Sequence, residues 1–365
     1  MKQMRKKVTA LSFIFTFLVT VVSAQAPAVR WGPVYGLITP ETASIKWATT
    51  IPAACSVKID GIGLVRQTPK GIYHSVSLTK LKPKSKYSFQ ISMTARQGQT
   101  KSGPHFFTTP QPSKNWAFVV FGDTRTNLND HKKVVNGIIN YKDQFAFSLH
   151  TGDLTENGEE TKLWDLFFSA EAPLLSRMPF LPCRGNHEGK SFAFFHLFYT
   201  PLSQPNEPHS WYSFRYNNAI FVILDPLDDM KKQATFLDEV LARAQLDGVK
   251  WKFVAFHNPP YSSGKHGNDQ SIIETWVPIL EKYRVTCGFF GHDHLYEHSL
   301  KSGVHYMISG GGGAPLYQQK QGQNPYSLKV VSTLHFAGVT ISEKKVEIKV
   351  VAPDGSIVDT VEITE

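Results

Sequence analysis

Two textures divide the chain. From residue 28 to about 110, apolar and polar positions alternate in short runs: Ala43-Ser44-Ile45-Lys46-Trp47-Ala48, Ser56-Val57-Lys58-Ile59, and Tyr87-Ser88-Phe89-Gln90-Ile91-Ser92-Met93. A period of two puts successive side chains on opposite faces of a strand. Close spacing, with Gly and Pro turns between runs, predicts a small all-β sandwich over residues 28–110. The stretch Thr108-Thr109-Pro110-Gln111-Pro112-Ser113 predicts a linker. From Trp116 the apolar runs become continuous. Residues 116–121, 145–149, 219–224 and 251–256 predict strands buried on both faces. Residues 129–140 predict a helix, and Ala234, Leu237, Val240, Leu241 and Ala244 recur at helical spacing. Strands alternating with helices predict an α/β domain over residues 114–365. The chain returns to β alternation at residues 345–350, followed by an Asp354-Gly355 turn and one more strand.

The N-terminus departs from both textures. Lys2, Arg5, Lys6 and Lys7 precede an apolar run over residues 10–22, and Val22-Ser23-Ala24 offers small residues for cleavage. This is the layout of a secretory leader over residues 1–24, cleaved near Ala24, and the run is short of the ~20 residues that span a bilayer. It predicts a secreted or periplasmic protein with no transmembrane segment in the mature chain. Four of the 39 basic residues and none of the 30 acidic ones lie in those 24 positions, so the net charge falls from +9 to +5 beyond them. That mild excess suits a small anionic substrate and does not by itself indicate nucleic acid. Cys55, Cys183 and Cys287 are too few for a disulfide framework; Cys183 and Cys287 could pair, but buried free thiols are expected.

The chemistry is concentrated in five polar clusters, each directly after an apolar run. They are Gly122-Asp123-Thr124-Arg125, the stretch from Gly152-Asp153 to Glu156-Asn157, Gly185-Asn186-His187-Glu188, His257-Asn258-Pro259-Pro260-Tyr261, and Gly291-His292-Asp293-His294. In open α/β sheets, ligands bind beyond the carboxyl ends of the strands, so five such clusters predict one shared pocket. Carboxylate, amide oxygen and imidazole together suit Zn, Fe, Mn or Co rather than Ca. A carboxylate can bridge two such cations, and a cation pair can clamp the two oxygens of a phosphoryl transfer.

In this order, the five clusters resemble the metallophosphoesterase (calcineurin-like) superfamily. With a β domain in front and the His257-Asn258-Pro259-Pro260-Tyr261 motif, they are most similar to its purple acid phosphatase branch. Residues 81–87 resemble a turn of fibronectin type III domains. The resemblance implies an N-terminal fibronectin type III-like domain followed by a β-sandwich flanked by helices. It implies two divalent or mixed-valence transition-metal ions of the Fe/Zn/Mn class. Asp123 and His294 would bind the first metal, Asn186, His257 and His292 the second, and Asp153 would bridge them. His187 would stand near the substrate phosphate and assist catalysis. The implied reaction is hydrolysis of a small phosphate monoester by a metal-bound hydroxide. Phosphodiester hydrolysis, on nucleotides or cyclic nucleotides, and a catalytically weakened binding protein are the alternatives. A homo-oligomer is left open, and no nucleic-acid recognition is expected.

Two positions depart from the family pattern. Purple acid phosphatases carry Tyr three residues after the bridging Asp, where this chain has Glu156; other branches carry His two residues after the first Asp, where it has Arg125. The first metal therefore lacks both usual extra ligands, and no purple colour is expected. Arg125 is expected either to fork onto the substrate phosphate or to form a structural salt bridge. Asn157 and His266 are candidate substrate contacts. The run Gly310-Gly311-Gly312-Gly313 is either a close backbone approach to the site or a plain turn.

Overall fold

A computed structural model of the protein describes residues 25–63, 65–198, 210–320 and 322–364. The expected leader, residues 1–24, lies outside the described residues. Among them, no helix is long and apolar enough to cross a membrane.

The N-terminal part consists of β1 (Val29–Tyr35), β2 (Ala43–Ile59), β3 (Val65–Leu78), β4 (Lys86–Ala95) and β5 (Gly98–Thr108). They pair antiparallel in the order β1-β2-β4-β5, with β3 also on β2. The two alternating runs at 43–48 and 56–59 are halves of one strand. Its register with β3 slips between Ala48 and Ala53, around Pro52. Proline has no N–H to give the ladder, so it sits where pairing is already broken. The alternation buries Ile45, Trp47, Val57 and Ile59 against Val76, Leu78, Phe89, Ile91 and Phe107. The Lys82 N–H donates to Tyr87 Oη at 2.7 Å, which fastens the turn at 81–87 to the strand after it.

The remainder is two sheets packed face to face. One has the order β18-β17-β16-β6-β7-β8 and the other β15-β13-β14-β12-β11-β10-β9. Their strands are β6 (Trp116–Phe121), β7 (Ser148–His150), β8 (Phe180–Pro182), β9 (Tyr212–Tyr216), β10 (Ala219–Ile223), β11 (Trp251–Ala255), β12 (Cys287–Phe290), β13 (Tyr296–Lys301), β14 (Val304–Ser309), β15 (Ser327–Val331), β16 (Phe336–Ile341), β17 (Lys345–Val351) and β18 (Ile357–Thr364). The helices are α1 (Leu128–Asn140), α2 (Thr161–Leu175), α3 (Phe192–Leu197), α4 (Met230–Leu246), α5 (Gln270–Thr275) and α6 (Val277–Lys282).

The continuous apolar runs have a direct cause. Phe118, Val120, Phe147 and Leu149 face the opposite sheet, where they meet Phe221, Phe253 and Phe289. The intervening Val119 and Phe121 face outward onto Val134, Val135 and Ile138 of α1 and Phe167 of α2. On the other side, Val222 and Val254 meet Leu237 and Leu241 of α4 and Leu280 of α6. Both faces of each central strand are covered, so neither position in the alternation is polar. The helix expected at 129–140 is α1, and the last two expected strands are β17 and β18. The run at 145–149 becomes a strand only from Ser148. Strands β6, β7 and β8 run parallel, as do β10, β11 and β12, so their carboxyl ends open on one edge of the sandwich. All three cysteines are free and buried.

Candidate metal centre

All five clusters lie just beyond carboxyl ends of strands: β6, β7 and β8 in one sheet, β11 and β12 in the other. Short backbone bonds fix the loops. Asp123 N–H donates to Gly152 O at 3.0 Å, and Gly312 N–H and Ala314 N–H donate to Gly122 O and Asp123 O, each at 2.8 Å. A Cβ on Gly312 would lie 2.2 Å from Gly122 O, so this glycine run is a close backbone approach. Gly152, at φ +101°, turns the chain, and a Cβ there would lie 2.7 Å from His257 Nδ1. Asp123, Asp153 and His292 are non-glycine residues with φ of 57°, 58° and 69°. Such backbone is uncommon, and it aims all three side chains at one point.

That point is crowded with lone pairs. Candidate ligand atoms of Asp123, Asp153 and His257 all lie within 4.8 Å of one another. His257 Nδ1 faces the Thr151 carbonyl at 2.9 Å, which assigns the proton to Nδ1 and leaves Nε2 toward the centre. His257 Nε2 then lies 3.1 Å from Asn186 Oδ1 and 3.3 Å from both Asp153 Oδ1 and His292 Nδ1. His292 Nδ1 is also 3.1 Å from Asn186 Oδ1. Four lone-pair atoms at these distances repel one another unless a proton or cation lies among them. His294 is held in the same manner, with Nδ1 2.7 Å from the Pro315 carbonyl and Nε2 3.6 Å from Asp123 Oδ1. The donor set of two carboxylates, one amide oxygen and three imidazoles fits divalent transition cations.

Charge in the site points the same way. Burial pushes Asp123 well above the usual carboxylate range; nearby His257 opposes this and the Asp153 charge adds to it. Burial also works against ionisation of Asp153 and His257, but their mutual attraction prevails. Asp153 is held below the usual range and His257 is raised to about 10. Burial lowers His294 to about 4, which keeps its Nε2 lone pair available.

A family model for calcineurin-like phosphoesterases matches residues 117–296, from β6 through the last of the five clusters. Residues 117–296 thus form a calcineurin-like phosphoesterase domain. A probable inactive purple acid phosphatase from Arabidopsis thaliana is 26% identical over 269 residues, covering 62% of this chain and 43% of that protein. A phosphoenolpyruvate phosphatase from Allium cepa is 26% identical over 275 residues, covering 67% of this chain and 54% of that protein. The chain thus spans about half the length of these curated relatives. A solved purple acid phosphatase from yellow lupin (Lupinus luteus) seeds shares the fold, with a TM-score of 0.80 and 19% identity over 94% of this chain and 75% of that one. The fold is therefore a β-rich N-terminal sandwich followed by an α/β phosphoesterase domain.

The remaining candidates of this phosphoesterase domain fall at different distances from the centre. His187 Nδ1 lies 2.6 Å from Glu156 O, and its Nε2 stands 3.9 Å from Asp153 Oδ2 at the open side. His266 donates its N–H to Asp293 Oδ1 at 3.1 Å, with its Nδ1 3.0 Å from the same oxygen, and its ring stacks on His292 at 4.0 Å. Asn157 is not brought among them: its amide caps its own turn, Oδ1 accepting from Glu159 N–H and Nδ2 donating to Glu160. Arg125 donates from Nε to Asp153 Oδ2 at 3.2 Å and from Nη1 to Glu156 Oε2 at 2.7 Å and Thr126 Oγ1 at 3.1 Å. Its Nη2 is 3.4 Å from His294 Nε2. These contacts engage four of its five N–H groups. The fork onto two phosphate oxygens expected from sequence would require Arg125 to release one of them.

Sequence reasoning passed over Glu188, although it quoted the residue. Its buried carboxylate accepts N–H groups from Asp153 at 2.9 Å, Leu154 at 2.7 Å, Thr155 at 3.2 Å and Gly185 at 2.8 Å. It ties the second cluster to the third. The signal was present: an acid beside a candidate ligand and next to Gly189 is well placed to collect loop N–H groups. Asp293, between His292 and His294, plays the corresponding part for the loop at 262–266, where it accepts from Ser262 Oγ and from His266.

Proposed function

We propose that the chain is an exported, divalent-metal-dependent phosphoric ester hydrolase acting on small phosphomonoesters. The observation that carries this reading is the convergence of Asp123, Asp153, Asn186, His257, His292 and His294 from five strand ends. The site is laid out as two half-sites that share Asp153: Asn186, His257 and His292 on one side, Asp123 and His294 on the other. Divalent metal bound there would supply Lewis acidity toward the phosphoryl oxygens. The protein's own groups do the rest. Arg125 presents its remaining Nη2 proton and its positive charge to the phosphate. His187, with Nδ1 held on the Glu156 carbonyl, presents Nε2 at the open side, where its imidazolium form would hand a proton to the leaving oxygen. Asp293 and Glu188 hold the ligand loops still. Export is supported by the basic and apolar N-terminal pattern, and the small substrate by the mild charge and the Allium relative's printed activity.

One relative is named as probably inactive, so the assay has to be made on this chain itself. Purified protein should cleave p-nitrophenyl phosphate in preference to bis(p-nitrophenyl) phosphate, lose activity with a chelator, and regain it with Zn, Mn or Fe. Preference for the diester would move the reading to a phosphodiesterase. A preparation that binds metal but cleaves neither ester would refute the hydrolase.

A further inference from the structure

The two half-sites are not equivalent, and the difference lies in Arg125. Asp153 divides its two oxygens between them. Oδ1 faces His257 Nε2 at 3.3 Å, whereas Oδ2 accepts from Arg125 Nε at 3.2 Å. The lone pair of His294 Nε2, left free by the Pro315 carbonyl, faces Arg125 Nη2 at 3.4 Å. Two of the three protein ligands of the Asp123 half-site are therefore already directed at a guanidinium. Resting on the metal-dependent reading above, we propose that Arg125 is the resident cation of the Asp123 half-site. The chain then holds one metal ion, bound by Asp153, Asn186, His257 and His292.

Several features keep Arg125 in place. Its side chain is only 12% exposed. Glu156 anchors Nη1 from the solvent side at 2.7 Å, and Thr126 takes a further Nη1 contact at 3.1 Å. Thr126 sits at φ 72°, a costly backbone for a β-branched residue, and its hydroxyl donates to the same Glu156 oxygen. This local strain serves the Arg125–Glu156 clamp. Tyr317 stacks on His294 at 4.1 Å and covers the outer side of that imidazole. A guanidinium has no lone pair, so it cannot complete a metal shell; it can only take the place of the cation. A divalent ion entering this half-site would have to pull Asp153 Oδ2 and His294 Nε2 away from Arg125, and would then have a like charge as its neighbour. The Asn186 half-site has four protein ligands, and among the described residues no lysine or arginine is hydrogen-bonded to Asn186, His257 or His292.

Metal stoichiometry tests this on the intact protein. The chain would be loaded with excess Mn(II), desalted, and analysed for metal, with electron paramagnetic resonance on the same samples. The wild type should hold about one ion per chain and show an isolated Mn(II) spectrum, since two of the three ligands of the Asp123 half-site remain engaged by the guanidinium. Arg125→His puts a ligand where the guanidinium was, so it should hold about two ions and show a spin-coupled pair. Arg125→Ala vacates the half-site and should also exceed one ion, with the second held more weakly. Two ions in the wild type would overturn the inference and leave the metal-dependent reading standing. No ion in the wild type would overturn that reading itself. One ion in the wild type and in both variants would show that Arg125 is not what excludes the second. The wild-type count stands even if a variant fails to fold.

Discussion

At the scale of single residues, the centre depends on groups that present lone pairs and on groups that hold them still. His257 belongs to the first kind. His257→Ala should weaken metal binding by more than about 100-fold, because it removes a proposed direct ligand where even outer partners cost 10–100-fold. Metal titration with a competing chelator reads this out. Glu188 belongs to the second kind. It accepts four backbone N–H groups in a buried loop, and Glu188→Ala leaves all four without a partner. Each orphaned donor is costly, so a loss of roughly 3–5 kcal/mol of stability is expected in thermal or denaturant unfolding. Arg125→Ala should lower kcat/KM for the monoester by about 10- to 100-fold, or 1.4–2.8 kcal/mol. The iron-loaded protein should show no intense tyrosinate band, since Glu156 stands at the tyrosine position. Tyr261 instead packs edge-on against Tyr306 and Tyr326 in the outer core around α5 and α6.

At the scale of elements, legibility follows the range of the interaction. The five ligand loops could be read because glycine and polar residues break continuous apolar runs, a contrast that lies within a few residues. Strands β17 and β18 could be read because their alternation is local. The single 17-residue β2 could not, since Pro52 looks like a boundary until β3 is seen to pair on both sides of it. Sheet order is a matter of partners far apart in sequence, as when β16 pairs with β6 more than 200 residues earlier. His298 is buried on β13 with its Nε2 2.9 Å from His305 Nδ1 on β14. That pairing exists only once the hairpin forms. His335, just before β16, is wholly buried, and burial lowers it to about 4 even though its Nδ1 lies 2.9 Å from Thr333 O. Its folded value lies below the unfolded one, so the unfolded chain binds more protons between pH ~6.5 and ~4. Stability is full above that window and falls as pH drops through it, by up to about 3 kcal/mol from this group. Unfolding free energies measured across the window should flatten in His335→Phe if the imidazole is responsible.

At the scale of the whole molecule, the N-terminal sheet is joined to the phosphoesterase domain on the flank of α2, away from the ligand loops. Asp165 on α2 accepts from Arg30 Nε at 2.9 Å, Arg30 Nη2 at 2.8 Å and Trp31 Nε1 at 2.8 Å. The Trp31 ring stacks on Phe168, one turn along α2, at 5.7 Å and 13°. Two kinds of adhesion therefore meet at one place, and their strengths differ. The Arg30–Asp165 pair is more than a third exposed on both sides, so water and salt screen most of its attraction. Trp31 is 4% exposed and shares a core with Phe167, Phe168 and Val119. Asp165→Ala should then cost only about 1 kcal/mol, much of it from the Trp31 N–H left behind, and the cost should shrink little in high salt. Trp31→Ala should cost about 3–5 kcal/mol, because a large buried ring leaves a cavity that the junction cannot close. Neither side chain contacts the candidate metal ligands, so kcat/KM of the folded fraction should stay unchanged in both variants. Unfolding and kinetics on the same preparations decide it. An Asp165→Ala penalty as large as that of Trp31→Ala would mean that the junction is electrostatic, and a fall in kcat/KM would mean that the N-terminal sheet shapes the site.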